Sequence, residues 1–559
     1  MALLEIKNLS FSYPESGKKA LDGVSLSVSE GEFVLLCGES GCGKTTLLSI
    51  IKRQMRPEGN LSGEILYKGE NIDSLSERES VTDFGYVYQS PEKQIVTDKV
   101  WHELAFGPES IGMNTQSIRR RAAEISGFFG ISKWYRKDTA SLSGGQKQLL
   151  NLASVMITDP KVLLLDEPTS QLDPIAASEF IATLRKINDE IGVTIILVEH
   201  RLEELFSKVD RVVMMSEGKV VVDSRPQELG KHYDEIEKLP MKHGLPAAMK
   251  IARGIGRTDV TPLSVKDGKR LIEEYLSDCG AFADSGEKKP SEDERETVIE
   301  ISEGFFRYER ELPDVLCGMN LRVKKNEFLC ILGENGAGKT TALRILGGNK
   351  RLYRGKYRLW GKKISEYSTD KLYRRNVSFL PQNPQLLFVK NTLESDLLEA
   401  TKAMGLNENE GKEKIAAITE KLGIDALLDS HPLDLSGGEQ QKAAFAKILL
   451  MEPRILLLDE PTKGIDAYSK KILGEMLKGL QKEGITIVMV THDVEFAAEY
   501  ADRCAMFFDG QIVSSAPPEE FFSENSYYTT SASRISRGFF GGAVTAAEVI
   551  EKLRGIKRG

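Results

Sequence analysis

The chain has 559 residues, 41% apolar and 28% charged, an ordinary balance for globular protein and too long for a single core. A formal charge of −8 argues against a dedicated nucleic-acid binder, whose domains tend to be basic. No run approaches the roughly 18 consecutive apolar residues that span a bilayer, so no membrane crossing is expected.

In chain order, Met1 to Ser12 lacks the basic region, apolar block and cleavage site of a secretory leader, and the expected location is the cytoplasm. Six cysteines show no CxxC pairing or zinc-like spacing, which reads as reduced core thiols. Phe33 to Cys37 forms a short apolar strand that runs into Gly38, Glu39, Ser40, Gly41, Cys42, Gly43, Lys44, Thr45 and Thr46, then a helical segment. That is the context of a P-loop. Its glycines let successive N–H groups turn inward and, with the helix N-terminus, cradle phosphates. Lys44 would neutralise the β- and γ-phosphates of ATP, and Thr45 would offer a hydroxyl to Mg²⁺. Further on, Val162 to Leu165 reads as a buried strand ending in Asp166 and Glu167. Asp166 can hold Mg²⁺ through its water shell, and Glu167 can orient or deprotonate the attacking water.

The segment 285–297 is charged and nearly free of apolar residues, as a solvated linker would be. Beyond it the same pattern is written again. Phe328 to Leu332 runs into Gly333, Glu334, Asn335, Gly336, Ala337, Gly338, Lys339, Thr340 and Thr341, and Ile455 to Leu458 ends in Asp459 and Glu460. Lys339 follows Lys44 by 295 residues, and Asp459 follows Asp166 by 293. Each half is therefore one copy of a domain. The expected organisation is a first domain over 1–240, a helical tail over 241–284, the linker, a second domain over 298–522 and a tail over 523–559. Leu245 to Arg253 with Pro262 to Gly268 loosely resembles Thr529 to Arg537 with Ala543 to Val549, a weak match.

Ser143, Gly144, Gly145 and Gln146 after Leu142, and Ser436, Gly437, Gly438 and Glu439 after Leu435, resemble the signature motif of ATP-binding-cassette ATPases. The resemblance covers almost the whole chain. It implies an α/β fold of two P-loop NTPase domains, each with a mixed-sheet core and a helical signature subdomain, arranged as a head-to-tail pseudo-dimer. It further implies Q-loop residues Gln89 and Gln382 near the metal, D-loop residues Asp173 and Asp466, switch residues His200 and His492, and adenine-stacking residues Tyr13 and Tyr308. One composite site would join Lys44, Asp166, Glu167 and His200 to the second signature; the other would join Lys339, Asp459, Glu460 and His492 to the first. Both halves keep the full set, so two hydrolytic sites are expected.

Gln89-Ser-Pro-Glu-Lys-Gln94, then Trp101 to Pro108, and the tail Phe521 to Thr530 with Arg534, are similar to cassette subunits of energy-coupling-factor importers. That similarity implies a peripheral ATPase on the cytoplasmic face of the membrane. Its partners would be integral membrane subunits, a coupling protein and a substrate-binding protein, importing a vitamin, a vitamin precursor or a transition-metal ion. Gln94, Trp101 and Phe106 become candidate docking residues, with burial in the core an equal alternative for the two aromatics. A sugar-importer ATPase and a soluble tandem cassette protein acting on ribosomes are the competing readings. The second half of the former commonly loses the hydrolytic pattern, and the latter usually carries a long basic arm. Neither feature occurs in this sequence.

Overall fold

The central strand of the first half, Phe33–Gly38, is buried along its whole length, as a strand covered on both faces must be. Successive side chains leave it on opposite faces. Phe33, Leu35 and Cys37 enter one core together with Leu163, Leu165 and the helix residues Leu104 and Leu150. Val34 and Leu36 enter another, with Leu164 and residues Leu4, Ile6, Leu26 and Val28 of an antiparallel sheet. A three-layer domain results from this alternation.

The computed structural model describes residues 2–14, 17–279 and 295–556. The predicted linker 285–297 lies outside the described residues as far as 294. The chain divides into two compact units, Met1–Gly268 with Asp466–Tyr468, and Lys269–Ile465 with Ser469–Gly559. In the first, a six-stranded sheet runs in the order Lys219–Ser224, Arg211–Ser216, Phe33–Gly38, Thr194–Val198, Val162–Asp166, Phe84–Val87. All its pairings are parallel except the first, an antiparallel edge hairpin. The antiparallel sheet is ordered Leu21–Ser29, Ala2–Ser12, Asn60–Tyr67, Glu70–Asn71. The helical layer carries Val100–Ser110, Thr115–Phe128 and Gly144–Met156.

The second unit repeats this plan. Its six-stranded sheet runs Val377–Leu380, Ile455–Asp459, Thr486–Val490, Phe328–Leu332, Arg503–Phe508, Gln511–Ala516, again with one antiparallel edge pair. Phe328, Cys330 and Leu332 face helix residues Leu393, Leu397 and Phe445, while Leu329 and Ile331 face the antiparallel sheet. Cys37, Cys42, Cys317, Cys330 and Cys504 are free thiols, all but Cys317 buried.

The two tails share a device that their sequences barely display. Ser264 opens the helix Val265–Cys279, and Asp267 Oδ2 accepts from the amides of Leu263 (3.3 Å) and Ser264 (3.1 Å). Glu548 Oε2 accepts in the same way from Val544 (2.8 Å) and Thr545 (2.9 Å) at the start of Ala546–Ile556. Both are reciprocal capping boxes, since the Ser264 and Thr545 hydroxyls accept from the Asp267 and Glu548 amides.

Candidate nucleotide sites

Each P-loop closes on a glycine in the left-handed region. Gly43 (φ 101°) precedes the helix Lys44–Ile51, and a Cβ there would lie 2.4 Å from the Ala20 carbonyl oxygen. Gly338 (φ 109°) precedes Lys339–Leu346. Neither helix has a side-chain cap, so its first N–H groups remain available to an anion. Lys44 Nζ donates to the carbonyls of Gly38 (3.0 Å) and Glu39 (2.8 Å), and Lys339 Nζ to those of Gly333 (2.8 Å) and Glu334 (2.7 Å). Both lysines are buried and folded into the loops that they serve.

The parallel strands deliver acids to the same edge. Thr45 Oγ1 donates to Asp166 Oδ1 and Thr340 Oγ1 to Asp459 Oδ1, each at 3.0 Å. Tyr86 also donates to Asp166 (3.3 Å). Burial, with the adjoining glutamate adding, pushes both aspartates up to about 6. The sign matters for stability. An acid whose folded pKa exceeds its unfolded value near 4 costs stability as pH rises between the two, by about 1.4 kcal/mol per unit. Nucleotide-free Asp166→Asn should therefore melt a few degrees above the parent at pH 8 and lose that advantage near pH 4.5, while losing turnover at its site. Thermal melts across that range check it.

Glu167 and Glu460 stand at φ 46° and 50°, a conformation costing a non-glycine residue about 1–2 kcal/mol. The turn is pinned on both sides: the Glu167 amide donates to Val198 O and its carbonyl accepts from Ser170, as do Glu460, Val490 and Lys463 in the second unit. Around Glu167, Gln89 Nε2 donates at 2.8 Å and His200 Nε2 lies at 2.7 Å. Around Glu460, Gln382 Nε2 donates at 3.0 Å and His492 Nδ1 lies at 3.5 Å. Burial would raise Glu460, but His492, Lys463 and Lys339 outweigh it and hold the carboxyl down at about 2.

The remaining predicted residues have local partners of their own. Tyr13 (40% exposed) and Tyr308 (47%) present open rings, tethered by hydroxyl contacts to Thr46 (3.1 Å) and Thr341 (2.9 Å). Glu39 turns to Ser216 and the Glu217 amide. Ser143 and Ser436 cap Gly144–Met156 and Gly437–Leu449 in capping boxes with Gln146 and Glu439. There the two signatures differ: the Ser436 hydroxyl also donates to the Glu439 carboxylate at 2.6 Å. Asp173 caps Pro174–Ile191 through the Ala176 amide (2.9 Å). Gln94 pins the Q-loop from within, accepting from Tyr88 N and donating to Tyr86 O. Trp101 and Phe106 are 43% and 46% exposed, so they are not core.

A P-loop, an Asp–Glu strand end, a glutamine and a histidine converge in each unit, which defines two P-loop ATPase domains in one chain. A family model described as ABC transporter matches residues 21–170 and 316–463. The chain belongs to the ABC transporter family and is an ATP-binding ATPase with two fused cassettes. Two relatives carry the name ABC transporter ATP-binding protein. One, from Bacillus anthracis, is 40% identical over 551 residues, covering 99% of this chain and 98% of its own length. The other, from Methanosarcina acetivorans, is 35% identical over 537 residues, covering 93% and 86%. A solved structure, cbiO1 from Clostridium perfringens, part of the ABC transporter complex cbiONQ, is 31% identical, covering 42% of this chain and 94% of its own, with a TM-score of 0.39. Among the described residues no helix is long and apolar enough to cross a membrane.

Two features escaped the sequence reading: the left-handed backbone of Glu167 and Glu460 and the partners of the residue before each switch histidine. The repeat offset could have exposed the second, because Glu199 and Thr491 align there and differ.

Proposed function

We propose that this chain is the energising subunit of an importer, hydrolysing ATP at two composite sites and driving a vitamin, vitamin precursor or transition-metal ion through separate membrane subunits. In each site the P-loop, Asp–Glu pair and switch histidine of one half work with the signature of the other, in head-to-tail pairing. Because the halves are fused, each partner is held at high effective concentration. The catalytic residues are Lys44, Glu167 and His200 in one site and Lys339, Glu460 and His492 in the other. The observation that carries hydrolysis in both is the complete duplicated cluster around Glu167 and Glu460.

The donor atoms suit Mg²⁺, a hard cation that takes one or two carboxylates and completes its shell with phosphate and water. Thr45 with Asp166, and Thr340 with Asp459, would hold it, with the amide oxygens of Gln89 and Gln382 as further acceptors. When bound it neutralises the β- and γ-phosphates. The uncapped helix starts and buried lysines bind the phosphates, Glu167 and Glu460 orient water, and the histidines hold those carboxylates in place.

Support for the importer reading comes from Val96, Trp101 and Phe106, exposed in the segment that follows the first Q-loop and suited to an apolar segment of a membrane partner at the cytoplasmic face. Tagged protein purified from detergent extracts should bring small membrane proteins with it; ribosomal subunits or rRNA would overturn the reading. The double change Trp101→Ala with Phe106→Ala should cut that recovery about tenfold or more while basal ATPase stays within twofold of the parent.

A further inference from the structure

The residue before the switch histidine is an acid in one half and a hydroxyl residue in the other, and the two are wired differently. Glu199 is 2% exposed. Its Oε1 accepts from the Thr169 amide (2.8 Å) and hydroxyl (2.6 Å), and its Oε2 from the His200 amide (3.1 Å). Thr169 lies two residues past Glu167 in the turn that holds that residue left-handed. The carboxylate thus bridges the turn carrying Glu167 and the strand end carrying His200, whose ring reaches Glu167 at 2.7 Å. In the second unit Thr491 Oγ1 meets Thr462 Oγ1 at 3.1 Å and accepts from the Asp493 amide at 3.0 Å, while His492 stands 3.5 Å from Glu460.

Burial pushes the Glu199 carboxyl up, and the Thr169 hydroxyl and amide, with the Arg201 charge, oppose that shift. A buried carboxyl is retained only where donors satisfy it, and the bonds it accepts strengthen as it ionises. Three donors converge here from both sides of the catalytic pair. We propose that Glu199 is a positioning residue for hydrolysis in the first cassette. It fixes the spacing between Glu167 and His200 through a carboxylate brace that the second cassette replaces with a weaker hydroxyl contact. The two cassettes therefore depend on different residues to hold the same pair, and hydrolysis in the first is the one sensitive to this position. Small losses of alignment around a reacting water cost rate without costing nucleotide affinity.

The test compares Glu199→Ala and Glu199→Gln in the full chain carrying Glu460→Gln, and Thr491→Ala in the full chain carrying Glu167→Gln, each against its own single-variant parent so that turnover reports one cassette, by steady-state ATPase kinetics and by titration with a fluorescent ATP analogue. Glu199→Ala should lower kcat about fivefold with KM and analogue affinity within twofold of the parent. Glu199→Gln keeps the volume and one acceptor oxygen but turns an amide toward a donor, so it should fall in between, near threefold. Thr491→Ala should stay within twofold. Parent-level kcat in Glu199→Gln would overturn the proposal, and this arm remains decisive if the alanine variant does not fold. An equal loss in Thr491→Ala, or affinity falling in step with kcat, would also overturn it.

Discussion

Glu167→Gln and Glu460→Gln, made separately, should each leave at most half of the parent's ATP turnover, and together less than about 1%. Glutamine keeps the size of the side chain and can still meet Gln89 or Gln382, so the left-handed turn, pinned by backbone bonds to Val198 and Val490, should persist. The carboxylate's ability to take a proton from water is what is lost, and such positioned acid–base groups are worth about 10²–10⁴ in rate. ATP binding should survive, because the lysines, helix starts and aspartates are untouched. Parent-level turnover in either single variant would mean that the corresponding cassette binds without hydrolysing. A phosphate-release assay with a parallel binding titration separates the cases.

Lys44→Ala and Lys339→Ala should fail earlier, at binding. Each ammonium is buried and donates to two carbonyls of its own loop, poised where the phosphates would enter. A charged hydrogen bond is worth about 1.5–3 kcal/mol, so affinity at the affected site should drop roughly 10- to 100-fold. The loop carbonyls also lose their partner, which should loosen the segment and lower the melting temperature. Titration with a fluorescent ATP analogue should reveal one weakened class of site in each single variant and no tight class in the double variant. Undiminished affinity would place the phosphates elsewhere.

The motifs were legible because they answer to backbone requirements that few residues meet. A left-handed glycine at Gly43 and an unbroken apolar strand into Asp166 leave a mark in sequence that no packing detail can blur. The alternation of Phe33, Leu35 and Cys37 against Val34 and Leu36 likewise follows from burial on both faces. The tails were nearly illegible for the opposite reason. What they share is a capping box, Ser264 with Asp267 and Thr545 with Glu548, in which different residue types make equivalent bonds. Trp101 and Phe106 could not be read as surface or core from a helix whose apolar residues do not form one stripe. Glu199 lay hidden for a third reason: its partner Thr169, 30 residues earlier, meets it only through the fold.

Two nucleotide sites in one chain is the central claim, and counting nucleotides tests it without relying on transport or on any partner. Equilibrium dialysis of the Glu167→Gln, Glu460→Gln double variant against radiolabelled ATP and Mg²⁺ should saturate at two ATP per chain. Saturation at one would contradict the account.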